Sequence, residues 1–377
     1  MALTYDIEKI MLVVVPTYKR LDCLRLSLWS VLENNLPSAE PVRLLIANNY
    51  PDHRLEVEEL VATLVGHPRF GFWQIIFHHW PQTVHAHINW YDTIAAYANE
   101  DEVVVLHGDD DLLTPWSLVQ RHKVMMGECD FLLSGVGGTI TFLSSTKIHF
   151  RGNWSQPALI LDNEVLTSEN FERFGNVFIG SHTYKLNTAF RASVARARSW
   201  TEHQSWVGAE LRNLMFPYYL VLAYFYEGAQ VRGVHWHGCL RGTSLEERIS
   251  ARYNASFGWS SGLLLWLMLE LLEYDPLKKM ALSATRQYVR HQACQWCLTT
   301  FFDDRVPAEL RRELSRRVPL HPTWKEYLFS IKAMAIQFLG LKAASIRWDV
   351  ALNRNTFDAS DFIKQLAVHG ARQQISN

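Results

Sequence analysis

The sequence predicts an α/β fold, a mostly parallel sheet with flanking helices, followed by a mainly α-helical C-terminal region. Two observations carry this expectation. Over the first 135 residues, short apolar runs alternate with stretches of helical periodicity, the pattern of buried strands joined by crossover helices. After about residue 244 the alternation stops. Ser244-x-x-Glu247 reads as a capping box, and most of the chain beyond it has helical patterning rich in Trp, Leu and Arg. A boundary near 245 divides the chain into a sheet-based domain, 1–244, and a helical domain, 245–377.

Met11 to Val15 is a wholly apolar first strand, and Leu21 to Leu32 a helix with apolar residues at 21, 24, 28, 31 and 32. Val42 to Ala47, Phe72 to Phe77 and Val103 to Leu106 repeat the strand pattern. Leu55 to Val65 and Asn89 to Ala98 repeat the helix between them. Thr114-Pro115 offers a hydroxyl N-cap and a proline at the first position of another helix. Cys129 to Leu133 reads as a strand and Gly135-Val-Gly-Gly138 as a turn, while 139–200 is mixed in character. Four parallel, Rossmann-like strands place their carboxyl ends on one edge, where open α/β sheets bind ligands. The segments leaving those ends are Pro16 to Arg20, Asn48 to Asp52, His78 to His87 and His107 to Asp111.

Composition narrows the function classes. The 377 residues are 48% hydrophobic and 20% charged, as expected of a globular chain. A net charge of −1 supplies no broad basic field, so nucleic acid is not an expected partner. The five cysteines are scattered and odd in number, which suits a reducing compartment. Cys294-x-x-Cys297 has no second pair to complete a zinc site. The longest apolar run, Gly262 to Leu269, falls short of the ~20 residues a spanning helix needs. The N-terminus lacks the basic, apolar and small-residue pattern of a signal peptide. The expectation is a cytoplasmic protein. Arg305, Arg311, Arg312, Arg316 and Arg317, beside Leu310 and Leu314, form a basic patch in the helical region. It suits either a solvated helix face or peripheral contact with the inner face of the cell membrane.

The chemistry-bearing feature is the strand exit Leu106-His-Gly-Asp109-Asp110-Asp111-Leu-Leu. Three adjacent carboxylates repel one another, and burial worsens the repulsion. A hard divalent ion resolves it, taking carboxylate oxygens and completing its shell with water and phosphate oxygens. Mn²⁺ or Mg²⁺ is the expected cofactor. His78, His79, His85 and His87 are read instead as hydrogen-bonded loop residues, since neither thiolate nor carboxylate joins them in that loop. Ser181 to Thr188 has the polar and aromatic character of a sugar-binding shelf.

Pro16-Thr17-Tyr18-Lys19-Arg20 after the first strand, Asn48-Asn49 after the second, Asn89 at the third helix and Asp109-Asp110-Asp111-Leu-Leu-Thr-Pro115 occur in this order. The set resembles the family-2 glycosyltransferases of GT-A fold, well over residues 10–125 and faintly to 245. The resemblance implies an inverting transferase that moves a sugar from a nucleotide-diphosphate donor to a glycan or lipid-linked glycan, as in bacterial surface polysaccharide assembly. It assigns Pro16, Thr17, Tyr18, Arg20, Asn48 and Asn89 to the donor nucleotide. Asp109 would meet the ribose or a water, and Asp110 and Asp111 the metal, with Asp109 and Asp111 as the pair if the motif is read as a literal D-x-D. Gly108 stands where the family often has its first motif aspartate, and Asn48 where it usually has an aspartate facing the base. Glu210 occupies the place of the general base, with Glu202 as the alternative. His237, or His235, would add a metal or diphosphate ligand, and Arg241 and Thr243 would lie in a flexible loop closing over the diphosphate. Two other readings are a nucleotidyltransferase, disfavoured because Pro16 to Asp22 contains no glycine, and a GT-A protein decayed into a binding scaffold.

Overall fold

The computed structural model describes residues 11–34, 42–84, 88–100, 102–125, 129–152, 188–191, 231–245 and 355–365, together with eight further residues between 324 and 352. The parallel half of the sheet comprises β1 (Met11–Thr17), β2 (Val42–Asn48), β3 (Trp73–His79) and β4 (Val103–Leu106). β1 lies between β4 and β2, and β3 forms the edge beyond β2. Helices α1 (Leu21–Leu32), α2 (Arg54–Val65) and α3 (Thr93–Tyr97) follow the first three strands, α3 after a π-type turn at Ile88–Asp92. Residues of β1 and β4 are buried throughout, as expected of central strands covered on both faces.

Beyond β4 the sheet turns antiparallel. β8 (Thr188–Arg191) pairs with β4 and with β6 (Phe131–Phe142), and β6 pairs with β7 (Lys147–Gly152). β9 (Val231–Arg241) runs parallel to β6 and antiparallel to the two-residue β5 (Leu112–Leu113).

Two sequence expectations need correction. The glycines 135–138 do not turn the chain; they lie inside β6, where the register with β9 shifts repeatedly. Glycine permits the close approach there. A Cβ on Gly138 (φ +157°) would stand 2.7 Å from the Phe150 ring and 3.0 Å from the Arg151 carbonyl. Second, Thr114 does not cap a helix. Its hydroxyl and N–H both donate to the Gly238 carbonyl on β9, and α4 (Ser117–Met125) starts after Trp116. The described residues after 245 include a further strand. β10 (Thr356–Asp358) pairs antiparallel with β7 and closes that edge of the sheet. Ala359, Phe362 and Ile363 then bury themselves with Ile140, Phe142, Ile148, Phe150, Leu112 and Leu240.

Candidate functional site

The acidic turn leaves β4 on the carboxyl edge of the parallel strands and rests on one face of α1. Ser27 Oγ donates to the Gly108 carbonyl at 2.8 Å. Ser30 Oγ accepts from the Leu113 N–H at 3.0 Å and donates to Ser27 O at 2.7 Å. Asn34 Oδ1 accepts from the Leu118 N–H at 3.2 Å. All three side chains are buried. Ser27 and Ser30 form a polar ridge on one helix face and Asn34 follows just beyond the end of α1, so together they pin the turn at its start, just past its end and again in α4. Leaving one of these buried backbone groups unsatisfied costs ~1–3 kcal/mol, which makes the ridge a strong determinant of where the carboxylates sit.

Arg20 Nη1 stands 3.2 Å from Asp109 Oδ1 and 3.0 Å from Asp110 Oδ2, bridging the two carboxylates. Asp109 Oδ2 also accepts the Tyr18 N–H at 3.2 Å. Burial pushes the Asp109 carboxyl above the usual carboxylate range, opposed by the Arg20 guanidinium and by hydrogen bonds from Thr17 and Tyr18. Between these two partners Lys19 takes a left-handed backbone, φ 62°, uncommon for a residue with a side chain. That conformation lets the Tyr18 N–H and the Arg20 side chain reach the same carboxylate. The Lys19 ammonium lies 5.1 Å from the centre of the Tyr18 ring and 4.6 Å from that of Tyr50, whose rings meet edge-on.

Two glycines shape the other side of the turn. A Cβ on Gly108 would lie 2.7 Å from Asp111 Oδ2 and 3.2 Å from Asp110 Oδ1, so these two oxygens converge beside the Gly108 Cα. An aspartate at 108 would occupy that space, which gives a physical reason for glycine at this position. Gly242 donates its N–H to Asp111 Oδ1 at 2.7 Å, and a Cβ there would stand 1.3 Å from the Asp110 carbonyl oxygen. Each of these carboxylates thus sets one oxygen beside Gly108, while Arg20 holds Asp110 Oδ2 and the Gly242 N–H holds Asp111 Oδ1.

The asparagines at this edge are tied to the backbone of the strand exits. Asn48 is buried. Its Oδ1 accepts the Tyr50 N–H, and its Nδ2 donates to the Tyr50 carbonyl and to His79 Nδ1. Asn49 exchanges two 2.8 Å hydrogen bonds with the backbone of Val84. Asn89 accepts from the Trp80 indole and donates to the Ala47 carbonyl. All three clamp strand exits. Pro16 and Thr17 lie in register with Ala47 and Asn48, next to these clamps. The exposed aromatic surface at this edge is Tyr18. His78 pairs with the Tyr97 hydroxyl at 3.1 Å, while His85 and His87 lie outside the described residues.

The segment carrying His235, His237, Arg241 and Thr243 is not the flexible loop expected. His235, His237 and Arg241 belong to β9, His237 opposite Gly135 and Arg241 opposite Thr139. Thr243 continues the pairing, its N–H donating to Ile140 O and its carbonyl accepting from Phe142 N–H. Since β5 pairs Leu112 with Leu240, the strand brings Gly242 to the acidic turn. His237 lies on the same strand, before Leu240 and Gly242. Glu210, Glu202, most of the 181–188 shelf, Cys294, Cys297 and the Arg305–Arg317 patch lie outside the described residues.

Sequence reading overlooked Ser27, Ser30, Asn34 and Gly242. Ser27 and Ser30 carry a legible signal, polar residues at helical spacing within an apolar helix. Gly242 carries none, because its partner Asp111 is 131 residues away.

No family model matches the chain, and no curated protein sequence does. Among solved structures, TarS of S. aureus is similar with a TM-score of 0.48 and 12% identity, over 89% of this chain and 55% of TarS. The chain thus spans about half the length of TarS. The mannosyltransferase PcManGT of Pyrobaculum calidifontis, in complex with GDP-Man and Mn²⁺, has a TM-score of 0.43 and 15% identity, over 89% of this chain and 86% of that one. The UTP-bound UGPase of Acinetobacter baumannii has a TM-score of 0.32 and 11% identity, over 61% and 87%.

Proposed function

We propose that this chain is an inverting, metal-dependent glycosyltransferase, using a nucleotide-diphosphate sugar as donor and a glycan or lipid-linked glycan hydroxyl as acceptor. Bacterial surface polysaccharide assembly is the setting this reading implies. The observation that carries it is the convergence of Asp110 Oδ1 and Asp111 Oδ2 beside Gly108, at the ligand-binding edge of a parallel sheet. Asp110 and Asp111 would hold Mn²⁺ or Mg²⁺, which would supply positive charge to the departing diphosphate. Asp109, tied to Tyr18 and Arg20, orients Arg20 across the mouth of the site. Arg20, bridging two carboxylates, is positioned to exchange one of them for a phosphate oxygen when a donor binds. Tyr18 and the neighbouring Tyr50 offer a stacking surface to a base.

Glu210 is our candidate base, on its sequence position. Its carboxylate would take the acceptor hydroxyl proton as that oxygen bonds to the anomeric carbon and the nucleoside diphosphate leaves from the opposite face. Calorimetric titration with a panel of nucleoside diphosphates, with and without Mn²⁺, tests the reading. The expected result is metal-dependent binding of a nucleoside diphosphate, lost in Asp111→Ala. Binding of triphosphates alone, with pyrophosphate release, would assign a nucleotidyltransferase, and no nucleotide binding a scaffold. Glu210→Gln should keep donor binding and lose transfer; full transfer by that variant removes Glu210 as the base.

A further inference from the structure

The exposed Lys19 follows Tyr18, whose N–H reaches Asp109 Oδ2, and precedes Arg20, whose guanidinium bridges Asp109 and Asp110. Its ammonium is turned instead to the aromatic edge. It stands 5.1 Å from the centre of the Tyr18 ring and 4.6 Å from that of Tyr50, and these rings meet edge-on at 77° with their centres 5.5 Å apart. His53 continues the row, its ring centre 4.7 Å from that of Tyr50 and nearly perpendicular to it. The notch between Tyr18 and Tyr50 is thus occupied by the protein's own cation. A hydrogen bond with the Tyr18 side chain first, then the proximity of Tyr18, Tyr50 and Asp52, pushes the Lys19 pKa up, so the group in the notch is an ammonium. The backbone at 19 is left-handed, φ 62°, a conformation that glycine or asparagine takes at less cost. What a lysine adds at this position is its side chain.

We propose that Lys19 selects phosphorylated ligands: its ammonium fills the aromatic notch of the free protein, and a base that brings a diphosphate with it gives that ammonium a better partner. The inference rests on the proposed donor site, because it takes Tyr18 and Tyr50 as the surface on which the base stacks. A base and an ammonium cannot share one notch, so stacking first has to expel the lysine. For a bare nucleoside the expelled charge goes to water, and the lost ring contacts count against binding. A nucleoside diphosphate changes the balance. The turn already carries Asp109, Asp110 and Asp111, so a diphosphate brought to it needs cations beyond a single divalent metal. Arg20 supplies one, at 3.2 Å from Asp109 and 3.0 Å from Asp110. Lys19 is its neighbour in the chain, with Cα atoms ~3.8 Å apart. A flexible four-carbon stem lets its ammonium swing from the rings to a phosphate oxygen held there.

The test is competition titration of the full chain, with Mn²⁺ present, using uridine, cytidine, adenosine and guanosine and their diphosphates against a fluorescent nucleoside diphosphate. Lys19→Gln removes the ammonium. It should bind the diphosphates about tenfold more weakly, the effect of one lost charged hydrogen bond, and the parent nucleosides at least as tightly as wild type. The preference for diphosphate over nucleoside then falls by about tenfold or more. Lys19→Arg keeps a cation and should retain most of that preference. Lys19→Gly suits the left-handed backbone, so it should melt no lower than wild type yet lose the preference as Lys19→Gln does. Loss of the preference in so stable a variant is a readout that a purely structural lysine does not move. Equal weakening of nucleosides and diphosphates overturns the inference, since the lysine then only braces the rings. An unchanged preference in Lys19→Gln overturns it as well. A wild type that binds no diphosphate overturns the donor reading and this one with it, an outcome distinct from diphosphate binding that ignores Lys19.

Discussion

The Gly242 N–H donates to Asp111 Oδ1 at 2.7 Å, across 131 residues of sequence, and the glycine has no room for a Cβ. Gly242→Ala therefore has to push the Asp110 carbonyl away, and the acidic turn with it. Misplacing a ligand set by about 1 Å costs on the order of 100-fold in rate. Transfer by Gly242→Ala should fall by about that much, with weakened Mn²⁺-dependent nucleotide binding by calorimetry. Wild-type affinity in a folded Gly242→Ala protein would show that the turn is not positioned from β9.

The α1 ridge makes a prediction about stability. Ser27→Ala strips the Gly108 carbonyl of its donor, and Ser30→Ala strips the Leu113 N–H of its acceptor. Each should lower unfolding free energy by ~1–3 kcal/mol, read from the urea midpoint at constant m-value. Both should also weaken nucleotide binding, because the groups they release are the two ends of the turn.

Asp109 sets a pH dependence. Its folded pKa is raised by burial, so its favourable contribution belongs to the protonated form, is present below its unfolded pKa, and is lost as pH rises through the folded value. Compared with Asp109→Asn, the wild type should therefore lose relative stability as pH is raised from the acid side toward neutrality. Paired urea titrations across that window check the sign. A wild-type advantage that grows with pH would mean Arg20 and its companion hydrogen bonds outweigh burial.

His78 and His79 act in the opposite direction. Burial holds both imidazoles below the ordinary histidine range, reinforced by the neighbouring His79 for His78 and by Arg54 for His79. Their contribution is present above the unfolded pKa and lost as pH falls through the folded one. Protonating His79 also removes the acceptor that Asn48 Nδ2 uses. Proton NMR titration should find both rings titrating below the usual imidazole midpoint, and the thermal midpoint should fall as pH drops below about 6.5.

Much of the parallel half was legible because its signals are local. Leu21–Leu32 and Val103–Leu106 were read at their observed bounds, since a buried strand is a short apolar run and its crossover helix is periodic. Thr114 shows where local reading stops. It has the chemistry of an N-cap, yet its hydroxyl reaches a carbonyl 124 residues away. The same holds for Gly135 to Gly138, whose turn composition is overruled by pairing with β9.

The sequence by itself determined that a parallel sheet ends in a cluster of three aspartates, because burial patterning and charge repulsion are properties of contiguous residues. Tertiary structure alone decided the rest. It engaged Asp109 with Arg20 and Tyr18, set Asp110 and Asp111 oxygens beside Gly108, buried Asn48 as a clamp, and brought Gly242 to the turn. Each outcome rests on a hydrogen bond or steric fit in space, and the Arg20–Asp109 and Gly242–Asp111 partners lie far apart in the chain.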